Sequence, residues 1–184
     1  MRRIETNIRQ WPVAMTVGLL ALSAANVSQA QCRPGNGNSD IFASTPASDF
    51  QDGSDGTVLH VPTGLVWQRC TLGQSWTGNG CAGSADLLDW EDGLQVADIH
   101  VQDGQSDWRV PDRNELNSIV ENRCFLPALN DQVFPDAPGG ATWTSSPAAS
   151  QSGQAWSVDF DSGTVEQLAT SQENVVRLVR TARP

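Results

Sequence analysis

Four cysteines, Cys32, Cys70, Cys81 and Cys124, constrain this chain more than any other feature, because all of them follow an N-terminus that reads as an export signal. The chain begins MRRIETNIRQ, with Arg2, Arg3 and Arg9. It continues through an apolar stretch from Trp11 to Ala25 and closes on NVSQA, with small residues at Ser28 and Ala30. A basic start, an apolar run of about 15 residues and a small-x-small ending are the parts of a secretory signal peptide. Residues 1–30 are therefore expected to be cut off after Ala30, leaving an exported protein, periplasmic or extracellular. A spanning helix needs about 20 apolar residues, so no membrane span is expected in the mature chain. A lipid-anchored cysteine wants a small residue before it, and Gln31 precedes Cys32, which makes a lipoprotein the lesser alternative.

An even number of cysteines in an exported chain implies two disulfides. Of the three pairings, Cys70 with Cys81 closes the Gly-rich segment TLGQSWTGNG, a loop whose closure is worth roughly 3 kcal/mol in the chain-entropy model. Cys32 then pairs with Cys124 and ties the N-terminal segment to the domain. Zinc is disfavoured: no CxxC occurs, and His60 and His100 are the only histidines.

The charge balance narrows the partners. The 184 residues hold 11 arginines, no lysine and 21 acidic residues, for a formal charge of −10. Residues 1–30 carry three of those arginines and one glutamate, so the mature chain stands at −12. Nucleic-acid affinity needs clustered cations, so no nucleic-acid partner is expected. With 39% hydrophobic and 17% charged residues, a packed core is expected rather than disorder.

Residues 31–49, rich in Gly, Asn, Ser and Pro, read as a flexible tail, and residues 50–184 as one domain. Thr57–His60 and Leu65–Arg69 flank Pro62-Thr63-Gly64 and predict a hairpin. Trp90, Leu94 and Ala97, extended by Leu87 and Val101, predict a helix over 86–101, weakened by Gly93. Val110 precedes a proline and is pushed out of the helical region. Asp112 and Glu115 have capping-box spacing, and a second helix is expected from about Arg113 to Asn122, with Leu116, Ile119 and Val120 inward. Residues 125–142 form a long loop with three prolines, of the length that is functional or disordered. Strands are expected at 143–145, 155–160 and 164–168, the last two joined by a turn at Asp161-Ser162-Gly163, and a final strand at 174–180. Strands, two helices, then strands argue α+β.

TGLVWQR (63–69), SDWRVPDRNEL (106–116), WTSSP (143–147), AWSVDFDSGTV (155–165) and VVRLVR (175–180) occur in an order that resembles the Lcl C-terminal domain family, long catalogued as a domain of unknown function. The likeness runs from about Asp55 to Arg180. The family's second helix usually begins after Leu-Pro-Thr; here the residues are Val110-Pro111-Asp112, which keep the capping chemistry. The resemblance implies a C-type-lectin-like fold, a curled antiparallel sheet with two helices and long loops. It also implies kinship with the terminal domain of a bacterial collagen-like adhesin that binds sulfated glycosaminoglycans.

No hydrolase elbow, phosphate loop, HExxH or EF-hand motif is present, and neither histidine sits in a catalytic pattern. The expectation is a non-catalytic binding or adhesion module for a carbohydrate or a cell-envelope protein, open to forming homo-oligomers. An enzyme of the formylglycine-generating fold group and a structural envelope protein are the alternatives. A sulfated polymer requires a basic patch that a −12 chain lacks, so a neutral sugar fits better. Trp76, with Gln74 and Asn79 in the same loop, is the candidate stacking residue, and Asn130 and Asp131 in the 125–142 loop are further candidates. Trp67, Trp108, Trp143 and Trp156 are expected in the core. Arg109 is expected in a structural ion pair with Glu115 or Asp107. No cofactor is expected; calcium stays open at Asp159 and Asp161, although Asp-Ser-Gly is also ordinary turn chemistry.

Overall fold

The hairpin at 57–69 seeds the first of three sheets. The computed structural model describes residues 31–183, and the expected signal peptide lies outside the described residues. Strand β2 (Thr57–His60) returns as β3 (Leu65–Gln68) through a turn in which Gly64 has φ +68, a conformation that costs a residue without Cβ little. Strand β1 (Phe50–Asp52) lies beside β2, and the C-terminal strand β11 (Val179–Thr181) beside β3, all antiparallel in the order β1-β2-β3-β11.

The second sheet collects β6 (Leu87–Leu88), β7 (Ala141–Pro147), β8 (Gln154–Asp159), β9 (Thr164–Ala169) and β10 (Asn174–Val175) in the order β6-β10-β7-β8-β9, with β10 and β7 parallel. The third is a two-stranded ribbon, β4 (Ser75–Trp76) with β5 (Cys81–Ala82). The domain is α+β.

Three expected elements come out shorter or divided. Helix α1 spans Trp90–Ile99 rather than 86–101: Asp89 caps it by accepting the Asp92 amide at 2.9 Å, and Leu87–Leu88 pair with Asn174–Val175 instead. Leu87 and Val101 are consequently exposed, while Gly93 and Ala97 form the buried face. Helix α2 spans Arg113–Asn117 rather than running to Asn122; the chain turns at Ser118 and drops Ile119 and Val120 into the core. Its capping box is complete, Asp112 accepting the Glu115 amide and Glu115 the Asp112 amide, each at 2.8 Å. The single strand expected at 174–180 is two, β10 and β11, in different sheets. Between them the carbonyls of Val176 and Leu178 accept from Leu72 and Gln68, so the segment stitches one sheet to the other.

Burial follows from this arrangement. Trp67, Leu116, Ile119, Leu129, Phe134, Val158 and Phe160 form one apolar cluster, and Trp108, Trp143, Ala155, Val176 and Leu178 a second. Each large side chain so placed is worth about 1.5–3 kcal/mol. The 125–142 segment has no helix or strand before Ala141, yet it supplies Ala128, Leu129, Val133, Phe134 and Ala137 to the core.

Residues 31–49, which composition alone reads as a tail, are strapped across the domain. Cys32 is bonded to Cys124 and Gly37 bridges Cys124. The fully buried carboxylate of Glu121 accepts from the amides and hydroxyls of both Ser44 and Thr45.

Candidate functional site

A cleft of about 300 Å³ opens between the 52–56 turn, the loop closed by the Cys70–Cys81 disulfide, and the end of α1. Its floor is Gln68, the last residue of β3, only 4% exposed. Gln68 Nε2 donates to His100 Nε2 and to Gln102 Oε1, both at 2.7 Å, and Gln102 Nε2 donates to the Asp55 carbonyl at 3.1 Å. An amide nitrogen only donates, so His100 Nε2 accepts and the neutral ring carries its proton on Nδ1. Burial is the larger influence on His100 and lowers its pKa below the usual 6.5, opposed by its hydrogen bond with Gln102.

Local structure explains these positions. His100 is the residue at which α1 stops and the backbone becomes extended. Gln102 is held by a tight turn in which Asp103 and Gly104 have φ +50 and +74, closed by reciprocal hydrogen bonds with Gln105. Two consecutive left-handed residues are the signature of a type I′ turn, for which Asp-Gly is a preferred pair.

Gln74 and Trp76 line the same cleft. Gln74 Oε1 accepts the Thr71 hydroxyl at 2.8 Å and its Nε2 donates to the Asp136 carbonyl at 3.3 Å, so Gln74 braces the disulfide loop. Trp76 is packed on more than one side. The Arg69 guanidinium lies 5.1 Å from its ring centroid, and a Cβ on Gly56 would come within 2.8 Å of its Cβ and Cγ. Arg69 is itself pinned by Asp52 at 3.2 Å. The titratable side chains on the lining are the carboxylates of Asp55 and Asp103 and the imidazole of His100; no arginine lines it.

The remaining sequence candidates lie elsewhere. Asn79 is exposed at the loop tip, accepting from Thr77, and does not line the cleft. Asn130 is fully buried; its side chain accepts the Gln31 and Gln132 amides and donates to the Thr45 carbonyl. Asp131 pairs with Arg33 at 3.1 Å. Asp159 closes the β8–β9 turn by accepting from the Asp161 amide and the Ser162 hydroxyl. Among the described residues no group of three or more His, Cys, Asp or Glu is placed to hold a metal ion.

With this geometry in place, the comparison is direct: the family model described as the Lcl C-terminal domain matches residues 56–180. The chain belongs to the Lcl C-terminal domain family. No curated protein matches it. The Lcl C-terminal domain starts at Gly56, so it contains the floor of the cleft and the Cys70–Cys81 loop, whereas the strap at 31–49 and Cys32 precede it.

Most motif residues of the Lcl C-terminal domain hold the fold. Trp67, Trp108 and Trp143 are at most 3% exposed. Trp156 departs from the expected core position: it is half-buried, with the Arg113 guanidinium 4.7 Å from its ring centroid. Arg109 grips Glu115 with two hydrogen bonds of 2.6 Å, as expected, while Asp107 pairs with Arg183. Arg177 is fully buried and faces carbonyls and the Phe134 ring; desolvation lowers its pKa to about 9. Gln68 is the motif residue that reaches the cleft. Sequence reading missed it, with Gln102, although a glutamine at the end of the run Leu65-Val66-Trp67 is a legible signal, because a buried amide must find partners.

Proposed function

We propose that this protein is an exported, non-catalytic binding module of C-type-lectin-like character and that the cleft at the Cys70–Cys81 loop holds a neutral carbohydrate. The observation that carries this reading is the lining: amides of Gln68, Gln74 and Gln102, the imidazole of His100 and the indole of Trp76, with two carboxylates and no arginine. Amide groups match sugar hydroxyls, and an indole supplies an apolar surface with a polar end. The carboxylates repel sulfate and uronate, so the polyanion binding known for the family's adhesin does not suit this cleft.

The non-catalytic reading is supported by the company of His100, whose Nε2 meets an amide rather than a hydroxyl or thiol. Export is supported by the N-terminal sequence and by two disulfides, bonds that persist in oxidising compartments. No helix among the described residues is long and apolar enough to cross a membrane. A second reading, docking onto an envelope protein, draws on Phe42, 95% exposed, with Ile41, Phe125 and Leu126 exposed where the strap runs beside residues 123–126.

A glycan array bearing neutral and sulfated oligosaccharides tests the proposal. Binding to neutral glycans that is lost in Trp76→Ala and Gln74→Ala is expected. Silence on the array together with measurable hydrolytic turnover ends it.

A further inference from the structure

The hydrogen bonds at the floor of the cleft depend on whether His100 is protonated, and the two states offer a ligand opposite chemistry. In the observed pattern Gln68 uses both Nε2 hydrogens, on His100 and on Gln102. What its amide has left for the cleft is the carbonyl Oε1, which accepts from none of the described residues. A proton on His100 Nε2 would set N–H against N–H across 2.7 Å. The Gln68 amide must then turn over, so that Oε1 accepts from the imidazolium and Nε2 points where Oε1 was. Oε1 now meets Gln102 Oε1, so Gln102 must turn too and withdraw its donor from the Asp55 carbonyl. One protonation thereby inverts three amide and imidazole roles in series.

We propose that Gln68 is the residue that reads the ligand in this cleft and that His100 sets the sense of the reading. With His100 neutral the floor presents an acceptor and selects a hydroxyl donor of a neutral sugar. With His100 charged it presents a donor instead. This deepens, and rests on, the assignment of the cleft as the binding site. His100 is a positioning residue; it acts through Gln68.

The surroundings make the device discrete. Gln68 is almost wholly buried, so its amide has few orientations, and an unmatched donor or acceptor there is costly. His100 and Gln102 are fixed by the end of α1 and by the Asp103-Gly104 turn. Asp55 and Asp103 line the cleft with His100, and the hydrogen bond with Gln102 favours the charged form of the ring. The 70–81 loop and β3 bring no titratable side chain, and Asp98, two residues back on α1, does not share a helical face with His100. Desolvation works the other way and keeps the ring neutral at pH 7.

Nitrogen-15 NMR of the oxidised protein tests this without any ligand. At pH 7.5 the His100 ring is expected as the Nδ1–H tautomer, with contacts from the Gln68 amide protons to Gln102. As His100 titrates, those contacts are lost and the Gln68 amide protons exchange faster with water. In His100→Gln, which cannot titrate, the Gln68 amide signals stay unchanged with pH. An Nε2–H tautomer at pH 7.5, or titration of His100 without change at Gln68, overturns the proposal.

Chitotetraose and cellotetraose, both neutral, serve as binding probes. Affinity at least tenfold weaker on the acid side of the His100 titration, with no such loss in His100→Gln, is expected. pH-independent binding overturns the inversion but leaves the carbohydrate site standing. If neither sugar binds and the glycan array is silent while the NMR result holds, the carbohydrate assignment fails and the amide relay stands.

Discussion

Glu121 and Thr45, 76 residues apart in sequence, are joined by two hydrogen bonds: Glu121 Oε2 accepts the Thr45 amide at 2.8 Å and the Thr45 hydroxyl at 3.1 Å. The other oxygen, Oε1, accepts from Ser44 and from the Arg123 amide. One buried carboxylate thus fastens the segment that precedes the family domain.

Glu121→Gln is the sharpest test of that clamp. The amide puts an N–H where an acceptor is required, and a buried donor left unmatched costs about 1–3 kcal/mol. A loss of about 2 kcal/mol in urea unfolding is expected, together with faster proteolysis within residues 31–49. Unchanged proteolysis would show that the strap is held by the Cys32–Cys124 bond alone.

The two disulfides should separate stability from function. Their cysteines are 92 and 11 residues apart. Loop-closure entropy then assigns about 4.5 kcal/mol to Cys32–Cys124 and about 3 kcal/mol to Cys70–Cys81. Replacing Cys32 and Cys124 by serine is expected to cost more stability and spare the cleft. Replacing Cys70 and Cys81 should cost less and abolish binding, because that bond closes the loop carrying Gln74 and Trp76. Denaturant melts and the array, run on both variants, check the order.

Gly56→Ala addresses the seat of Trp76. Gly56 has φ +81, and its new Cβ would meet the indole at 2.8 Å. Backbone strain and the clash together should cost about 1–3 kcal/mol and shift Trp76 in the cleft. Weaker binding with a changed near-ultraviolet dichroism is the expected outcome; unchanged binding would show that the seat of Trp76 does not matter.

Acid should weaken the fold in two steps of different origin. Burial lowers the pKa of His60 and His100 in the folded state. Below about pH 6.5 the unfolded chain takes up protons that the folded chain refuses, so stability falls, and the loss levels off once pH is below the folded values. Above pH 6.5 these groups contribute no such penalty. His60→Gln combined with His100→Gln should flatten this first step in melts taken from pH 7.5 to 5.

The second step belongs to Glu115. Its hydrogen bonds to Arg109 are the main cause of its lowered pKa. The stability it contributes is present above about pH 4.5 and is lost as pH falls through its lower folded value. Arg109→Lys removes the two-pronged grip and should shrink this step, at a cost of about 0.5–1 kcal/mol at neutral pH because the pair is partly exposed.

Much of the fold was legible in local chemistry. Pro62-Thr63-Gly64 fixes its hairpin and Asp112 with Glu115 starts its helix, since both depend on residues a few positions apart. The Cys70–Cys81 pairing could be read the same way, because it closes a short glycine-rich loop. The division of 174–180 into two strands was not legible, because the partners that capture Val176 and Leu178 are Leu72 and Gln68, about a hundred residues away. The candidate site divides along the same line. Trp76 and Gln74 were visible as exposed-type residues in a closed loop. Asn130 looked equally available, and only its enclosure by Gln31, Thr45 and Gln132 shows it to be structural.

The amino-acid order alone was enough for the hairpin turns, the Asp112 cap, the short Cys70–Cys81 loop and the family, because each depends on near neighbours or on motif order. That Gln68, His100 and Gln102 meet is a product of packing and could not be read along the chain. They come from a strand end, a helix end and a tight turn, and hydrogen bonds of 2.7 Å between them arise only when packing sets those three backbones side by side.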